Sequence, residues 1–416
     1  MPQHVTAVYE LESAVPLDRA AEVIAGEQSC GTFVRVARES DDLRARHAAR
    51  VTGIEELPPS GRPPLPGMAG DPAHVSRGRV TIEFPLANFG PSIPNLLAAV
   101  AGNLFELREV GALRLVDLEL PGAFADRYAG PRFGIDGTRH LLDRPDGPMI
   151  GTIVKPSIGL SGEQLAQLVT ELGDAGIDFI KDDELQGNAP GLPLPERIRV
   201  VTDALKEVAD RNGRMPMYAF NITDDIDRLE ANHDAVLAAG GTCVMVCVNM
   251  VGLAGLEYLS RRTQLPIHGH RAMYGAYARS PQLGIDYNVW QKLARLAGAD
   301  HLHTNGFANK FYETDDEVLA SISAVRAPLL GGYETLPVLS SAQTPGLAHL
   351  TYERTRSTDL LVLSGGGIHG HPQGSAAGVL AMREAWDAAT SGEALDERAI
   401  KVPALAAALD TFGRPT

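Results

Sequence analysis

One lysine and three acids follow the short apolar stretch 179–180 near the middle of the chain: Lys181, Asp182, Asp183 and Glu184. If the stretch is a strand, Lys181 and Asp183 point to one side and Asp182 to the other, and Glu184 joins them only where the strand has ended. Carboxylate oxygens are the ligands that Mg²⁺ prefers. A neutral lysine amine can add CO2 to form a carbamate, which would supply a third anionic ligand. The pattern therefore indicates a magnesium site, with a charged run at a strand end as the alternative.

A second lysine and two pairs of histidines also have types and spacings suited to chemistry. Lys155 follows an apolar run, so it is a candidate base, or else a lysine whose stem packs at a strand end. His268 with His270, and His301 with His303, are each two residues apart and face one side of a strand. Such pairs can bind zinc, but the acid cluster offers an oxygen-only site. We therefore expect hydrogen-bonding and proton-transfer roles for His270, His301 and His303, and a packed core position for His268.

Three further features suit an anionic substrate. Arg271 and the glycines of 365–367 could bind a phosphate, because successive backbone N–H groups before a helix attract anions. Lys310 lies in a loop of small residues, which could close over a substrate as a lid. The alternatives are a glycine-rich turn needed only for packing and an exposed loop lysine.

These residues fall at the ends of predicted strands in the second part of the chain. The predicted strands are 149–155, 178–182, 216–221, 242–249, 266–270, 301–304, 336–340 and 359–364. Helical segments lie between them, for example at 163–175, 224–239, 288–296, 315–325 and 376–389. Eight strand–helix units predict a (β/α)8 TIM barrel over residues 141–416, including C-terminal helices, and active sites of this fold lie at the carboxyl ends of the strands.

The first part of the chain predicts a smaller α+β, ferredoxin-like domain over residues 1–140. Its predicted strands are 5–12, 32–36, 79–84 and 111–119, its helices are 17–25 and 95–103, and 57–72 is a loop rich in Pro and Gly.

The chain has 416 residues, a formal net charge of −15 and three cysteines. The negative charge argues against nucleic acid and against an anionic membrane surface as partners. The cysteines form no metal or disulfide pattern, and no apolar run is long enough to span a bilayer. We expect a soluble, cytoplasmic protein.

The motifs, in this order, resemble the large subunit of ribulose-bisphosphate carboxylase, and more closely the rubisco-like proteins. The resemblance extends over nearly the whole chain and implies roles for particular residues. It implies Lys181 as a carbamate with Asp183 and Glu184 as ligands of Mg²⁺, Lys155 as the catalytic base, and Lys310 as the lysine of a mobile loop. It implies substrate contacts for Glu27, Thr32, Asn103, His270, Arg271, His301, His303, Ser340, Gly365 and Gly366. Because Glu27 and Asn103 would reach the active site of a partner subunit, it also implies a homodimer with shared active sites, or higher oligomers of such dimers.

The chain departs from the carboxylase pattern at four places. Ser157 stands where the family has a second lysine, Phe33 stands where it has a tryptophan, the loop 305–310 lacks the usual residues before its lysine, and 341–343 replaces a glycine pair that helps to bind a phosphate. These changes disfavour carboxylation of a bisphosphate, whereas the retained base, metal ligands and histidines favour chemistry through an enediolate.

The loop 305–311 and the run 268–271 resemble the rubisco-like proteins that decarboxylate 3-oxo-isoapionate 4-phosphate, a phosphorylated 3-oxo sugar acid. The resemblance implies that Lys155 returns a proton to the enediolate and that Lys310 lies over the departing carboxylate. It implies that His270, His301 and Asn103 bind substrate oxygens, while Arg271, Gly365 and Gly366 bind a single phosphate. The alternatives are an isomerase or enolase of a 5-methylthioribulose 1-phosphate-like substrate, a non-catalytic sugar-phosphate binder, and a true carboxylase.

Overall fold

The computed structural model describes residues 3–31 and 36–415. The chain divides into two compact units: Met1–Ala129 with Met273–Leu296, and Gly130–Ala272 with Ala297–Thr416. The expected boundary after residue 140 differs from this division in two ways. The segment 130–140 groups with the second unit, and the later segment 273–296 groups with the first.

The strands are short in the second unit and, apart from β10, longer in the first. In chain order they are β1 (His4–Ser13), β2 (Arg50–Leu57), β3 (Ser76–Pro85), β4 (Ala112–Glu119), β5 (Met149–Ile153), β6 (Phe179–Lys181), β7 (Met217–Asn221), β8 (Cys243–Cys247), β9 (Ile267–His270), β10 (Leu283–Ile285), β11 (His301–His303), β12 (Leu336–Leu339) and β13 (Leu361–Leu363).

Helices connect most of these strands and cover the carboxyl-terminal part of the chain. They are α1 (Leu17–Glu27), α2 (Asp41–His47), α3 (Ile93–Ala101), α4 (Ala123–Arg127), α5 (Gly134–Leu141), α6 (Gly162–Asp174), α7 (Leu194–Asn212), α8 (Ile226–Ala238), α9 (Val248–Ser260), α10 (Tyr274–Ala278), α11 (Tyr287–Leu296), α12 (Asp315–Arg326), α13 (Ala348–Thr355), α14 (Gly366–His369), α15 (Ser375–Ser391), α16 (Leu395–Lys401) and α17 (Pro403–Phe412). Short 3-10 helices lie at Leu86–Asn88, Asn103–Glu106 and Pro345–Leu347. Within 3–31 and 36–415, no helix is both long and apolar enough to cross a membrane.

The first unit contains a five-stranded sheet in the order β10-β4-β1-β3-β2. Strands β1 to β4 pair antiparallel in the order β4-β1-β3-β2, and β10 adds to β4 in parallel. With α1 and α3 between them, the first four strands form the expected ferredoxin-like arrangement, which confirms this part of the fold prediction. Strand β1 shows its physical basis, because Val5, Ala7, Tyr9 and Leu11 alternate along it and are all fully buried.

The second unit is a closed barrel of eight parallel strands in the order β11-β12-β13-β5-β6-β7-β8-β9, which confirms the predicted (β/α)8 fold. Every residue of β7 and of β8 is buried, since one face of each strand fills the barrel interior and helices cover the other. The amino end of the barrel is closed by an apolar cluster that joins Ile135 and Leu142 to side chains such as Phe179, Met217 and Leu336.

Local sequence explains where several helices begin and end. Capping boxes open α6, through Ser161 and Gln164, and α12, through Thr314 and Glu317. Helix α7 ends at Gly213, whose φ of 70° is a left-handed conformation that glycine adopts without steric cost. These ends fix the lengths of the helices that bring the chain back to the next barrel strand.

Two strands were not predicted, and one prediction falls outside the described residues. Strand β2 is mostly exposed, so its sequence lacks a clear alternation of buried side chains. Strand β10 has only three residues and depends on its pairing with β4. Of the expected strand 32–36, residues 32–35 lie outside the described part of the chain.

The carboxylate of Asp178 ties the amino ends of two barrel strands to their surroundings. Asp178 is fully buried. It accepts a hydrogen bond from the Ile150 N–H at 2.7 Å and from Arg383 Nη2 at 2.7 Å, and a further one from Arg214. A buried carboxylate with several charge-assisted partners leaves those partners uncompensated when its charge is removed.

We expect Asp178→Asn to lower the free energy of unfolding by about 3 kcal/mol, because the facing arginines lose their counter-charge in a buried setting. The matched control is Asp174→Asn, since Asp174 pairs with Arg211 at a half-exposed position and such pairs contribute about 0–1 kcal/mol. Urea denaturation of both variants measures the difference. Equal losses in the two variants would contradict the assigned role of Asp178.

Candidate active site

Closure of the barrel brings the carboxyl ends of all eight strands to one rim, where most of the predicted site residues lie. These residues are Lys155 after β5, Lys181 to Glu184 at the end of β6, His270 and Arg271 at the end of β9, His303 at the end of β11, Ser340 after β12, and Gly365 and Gly366 after β13.

Lys181 is the last residue of β6, and its side chain is buried. Its Nζ donates a hydrogen bond to the Asp182 carbonyl oxygen at 2.7 Å and lies 3.8 Å from Glu184 Oε2. Burial lowers the pKa of this amine, and the nearby carboxylates of Glu184 and Asp183 oppose that shift. The net direction favours the neutral amine, which is the form that can add CO2.

Asp183 points toward Lys155, and Asp182 points away from the rim, as strand alternation predicts. Asp183 Oδ2 accepts a hydrogen bond from Lys155 Nζ at 2.7 Å, and its Oδ1 accepts one from the Leu185 N–H at 3.1 Å. Burial alone would raise the pKa of Asp183, but these two hydrogen bonds and the charge of Lys155 lower it overall. Asp183 is therefore held as a carboxylate, whereas Asp182 anchors the strand through Arg197 Nε at 3.0 Å.

The donor set around Lys181 fits a magnesium ion. Asp183 and Glu184 supply carboxylate oxygens, and Glu184 is half exposed, with Oε2 at 3.5 Å from His270 Nε2. Within the described residues, no three His, Cys, Asp or Glu side chains form a metal-binding group. The two carboxylates lie beside the buried amine of Lys181, which as a carbamate would add oxygen ligands of the kind that Mg²⁺ prefers.

His270 and His303 lie together at the rim. Their ring centroids are 4.4 Å apart, and His270 Nδ1 accepts a hydrogen bond from the Ala272 N–H at 3.1 Å. Burial lowers the pKa of both rings well below the usual value, so both are neutral at neutral pH. Because Nδ1 of His270 is an acceptor, its proton lies on Nε2, which faces Glu184.

The structure places His301 away from the rim, contrary to the role expected for it. His301 is the first residue of β11 and is fully buried, with Nε2 at 2.8 Å from Thr138 Oγ1 of α5. His301 and His303 are two positions apart on the strand. Their side chains therefore share one side of the strand but lie at different depths in the barrel. His303, not His301, lies at the depth of the rim. His268 is a buried core histidine, as expected.

Arg271 already has an anionic partner within the chain. Its Nη1 donates to Glu313 Oε1 at 3.0 Å and its Nη2 to Glu313 Oε2, and both side chains are largely buried. Asn305 Nδ2 also donates to Glu313. The loop after β11 is therefore fastened to the end of β9 through Glu313. Lys310 lies in the same loop and is exposed, with Nζ 5.4 Å from the centre of the Phe311 ring.

The three glycines after β13 differ in their surroundings. A Cβ atom on Gly367 would lie 2.5 Å from the Gln343 carbonyl oxygen, so this glycine is required by close packing. A Cβ atom on Gly366 would meet nothing within 4 Å, and one on Gly365 would lie 3.7 Å from Lys155 Cε. Gly366 therefore borders open space, whereas Gly365 lies against the stem of Lys155, and the two glycines form the N-cap and first residue of α14.

The barrel order separates two features that we expected to bind one phosphate. Gly365 follows β13, which neighbours β12 and β5, whereas Arg271 follows β9, which neighbours β8 and β11. Two strands, β11 and β12, lie between β9 and β13 in one direction around the closed barrel and four in the other, so the two groups are well separated around the rim. A single phosphate binds at one side or the other, and the expectation that Arg271, Gly365 and Gly366 share it is corrected.

Three expected substrate contacts belong to the first unit. Glu27 is the last residue of α1, and Asn103 opens a 3-10 helix. Thr32 lies outside the described residues. Their contribution to a partner subunit's site stays a prediction.

Sequence reasoning missed Glu313 and Thr138. Glu313 is 42 positions from Arg271, and Thr138 is 163 positions from His301. The position of Glu313 close to the loop lysine is a weak sequence signal for a role at the site. Thr138 lies in a short helix and has no sequence signal for such a role. Both contacts depend on tertiary structure.

Comparisons with known proteins agree with the fold and the motifs. Residues 1–124 match the family model for the ribulose bisphosphate carboxylase large chain, N-terminal domain, and residues 134–412 match that for its catalytic domain. A relative from Xanthobacter autotrophicus, named 3-oxo-isoapionate-4-phosphate transcarboxylase/hydrolase, is 50% identical over 98% of this chain and 99% of its own length.

Two further proteins are similar over almost their full lengths. One from Rhizobium rhizogenes, named 3-oxo-isoapionate-4-phosphate decarboxylase, is 40% identical and covers 98% of both chains. The crystal structure of a rubisco-like protein from Burkholderia fungorum has a TM-score of 0.91 and 43% identity, covering 98% of this chain and 99% of that one. The chain belongs to the ribulose bisphosphate carboxylase large-chain family.

Proposed function

We propose that the chain is a Mg²⁺-dependent enzyme that removes the carboxyl group of a phosphorylated 3-oxo sugar acid such as 3-oxo-isoapionate 4-phosphate. The observation that carries the proposal is the cluster at the end of β6, where a buried lysine amine with a lowered pKa lies beside Asp183 and Glu184, and Lys155 contacts Asp183. Binding alone needs neither a base nor a neutral buried lysine. The names of the similar proteins support this substrate class.

Lys181 as a carbamate, Asp183 and Glu184 would hold the magnesium ion. When bound, the ion supplies Lewis-acid stabilisation of negative charge on the substrate's oxygens. Asp183 is kept ionised by its hydrogen bonds from Lys155 and the Leu185 N–H. Glu184 is half exposed at the rim, where its carboxylate lies near Lys181 and His270.

The proposed reaction breaks the bond between the carboxylate and the carbon next to the substrate's keto group. The electron pair of this bond moves into the keto group and leaves an enediolate, with CO2 as the second product. Protonation of carbon then completes the reaction, and Lys155 is the proton donor, because its amine lies at the rim beside Gly365. The Nε2–H of His270 is placed to donate to a substrate oxygen, and Lys310 would lie over the carboxylate when its loop closes.

The two sides of the rim differ in their attraction for a phosphate. At one side, Gly366 adjoins open space at the start of α14, and the nearby Lys155 is paired with Asp183, whose charge the proposed magnesium ion would also balance. At the other side, the charge of Arg271 is balanced by Glu313, so an anion there would meet the carboxylate as well as the guanidinium. We therefore place the single phosphate at Gly365 and Gly366, and the uncharged end of the substrate near Arg271.

Carboxyl transfer followed by hydrolysis is the second candidate activity. It is favoured by the name of the relative that is 50% identical, whereas the relative named a decarboxylase is 40% identical. Both activities begin with removal of the carboxyl group, so they can share the site described above. They differ in the fate of that group.

We also propose a homodimer in which Glu27 and Asn103 of one subunit complete the site of its partner. The family resemblance supports this arrangement.

The proposed activity is tested with 3-oxo-isoapionate 4-phosphate labelled in its carboxyl carbon, together with Mg²⁺ and bicarbonate. We expect labelled CO2 to be released and the release to stop on chelation. Label retained in a non-volatile acid would establish the transferase instead. No loss of the carboxyl group, with deuterium uptake into 5-methylthioribulose 1-phosphate, would establish the isomerase.

Lys181→Met is expected to reduce turnover at least ~100-fold, because it removes one of the three ligands for the metal. Lys206→Met is the matched control, since Lys206 is an exposed lysine of α7. Full turnover by the Lys181 variant with Mg²⁺ present would show that the metal assignment is wrong.

Glu313→Gln is expected to create a second anion site at Arg271, because the guanidinium loses its balancing charge. A charge-assisted hydrogen bond contributes about 1.5–3 kcal/mol, so a five-carbon sugar bisphosphate should bind the variant at least ~10-fold more tightly than the wild type. The affinity for the corresponding monophosphate should change little. Calorimetry measures both ligands.

Asp316→Asn is the control for this comparison, because it removes an equal charge from an exposed residue of α12 that pairs with Arg354. A wild-type protein that already binds the bisphosphate ten-fold more tightly than the monophosphate would overturn the placement of the single phosphate.

A further inference from the structure

A line of hydrogen-bonded side chains runs through the barrel from the rim to the amino end. Ser340 Oγ lies 3.0 Å from His303 Nδ1, and His303 Nε2 lies 2.8 Å from His268 Nε2. His268 Nδ1 lies 3.3 Å from His301 Nδ1, and His301 Nε2 lies 2.8 Å from Thr138 Oγ1. Every ring nitrogen of the three histidines is thus engaged.

The three imidazoles are neutral in this setting. Burial lowers the pKa of His301 to about 3 and lowers those of His268 and His303 well below the usual value. A neutral imidazole carries one N–H donor and one acceptor nitrogen. Therefore the direction of any one hydrogen bond in the line fixes the direction of all the others.

The direction of these hydrogen bonds is set at the amino end of the barrel. Thr138 Oγ1 lies 2.5 Å from the carbonyl oxygen of Gly134, one turn earlier in α5. Two oxygens at this distance are hydrogen-bonded, and a carbonyl oxygen can only accept. The hydroxyl group of Thr138 is therefore the donor, and its proton points to Gly134. Thr138 then has only lone pairs to offer His301, and His301 Nε2 must be the donor.

The positions of the remaining ring protons follow from this donor. His301 Nδ1 is an acceptor, so His268 donates from Nδ1 and accepts at Nε2. His303 therefore carries its proton on Nε2 and accepts at Nδ1. The proton of Ser340 points to His303, which leaves the lone pairs of Ser340 Oγ for other partners.

We propose that Thr138, His301 and His268 are positioning residues that set the tautomer of His303 and the orientation of the Ser340 hydroxyl from the amino end of the barrel. None of the three contacts a substrate. On the proposed function, the consequence is that Ser340 acts as a hydrogen-bond acceptor and so binds a hydroxyl group of the substrate, not a phosphate or an enediolate oxygen.

The proposal is tested by nitrogen NMR of protein with ¹⁵N-labelled histidine, because protonated and unprotonated ring nitrogens have distinct chemical shifts. We expect protons on Nε2 of His301 and His303 and on Nδ1 of His268. Any other pattern in the wild-type protein would overturn the proposal. The measurement needs no substrate, so its failure is distinct from a failure of the proposed activity.

Thr138→Val then tests whether Thr138 sets the direction. Valine has nearly the same shape but no acceptor for the His301 Nε2–H, so the whole line is expected to reverse, moving the proton of His303 from Nε2 to Nδ1. Thr138→Ser keeps the hydroxyl and should retain the wild-type pattern. An unchanged His303 tautomer in folded Thr138→Val would refute the role of Thr138. If that variant does not fold, the spectra of the wild-type protein and of Thr138→Ser still test the proposed positions of the ring protons.

Discussion

The site depends on one constraint, which is closure of eight parallel strands around a packed interior. Because the strands are parallel, their carboxyl ends meet at a single rim, and residues from five or more strands face the same space. The amino end is filled by apolar side chains and by the buried carboxylate of Asp178. Polar groups that face inward must therefore be paired within the barrel or lie at the rim.

Burial acts on the charges of the site in a consistent direction. It favours the neutral amine of Lys181 and the neutral rings of the barrel histidines, because a charged form would lose its hydration. Asp183 is the counter-example, since two hydrogen bonds and the charge of Lys155 outweigh its burial. A lysine amine with a lowered pKa beside a fixed carboxylate is the combination on which the proposed carbamate and magnesium site rests.

The two sides of the rim differ in the space beside them. The glycine side has open space at Gly366 and a lysine, Lys155, that pairs with Asp183, whereas Arg271 on the other side pairs with a glutamate from the neighbouring loop. On the proposed function, the single phosphate lies at the open side. On the inference drawn above, the line of histidines also determines which atoms at the rim donate hydrogen bonds. The tautomer of each histidine in a continuous line of hydrogen bonds depends on the tautomers of its neighbours.

The sequence by itself determined the fold class and the acid cluster. Strand alternation gave the opposite directions of Asp182 and Asp183, and the count of strand–helix units gave the barrel, because both depend on local periodicity. Only the tertiary structure decided which side chains share the site. His301 and His303 have the same pattern along the chain, yet their depth in the barrel gives them different neighbours. The pairing of Arg271 with Glu313, and of His301 with Thr138, joins residues far apart in sequence. Such contacts follow from how the barrel closes, and no local pattern encodes them.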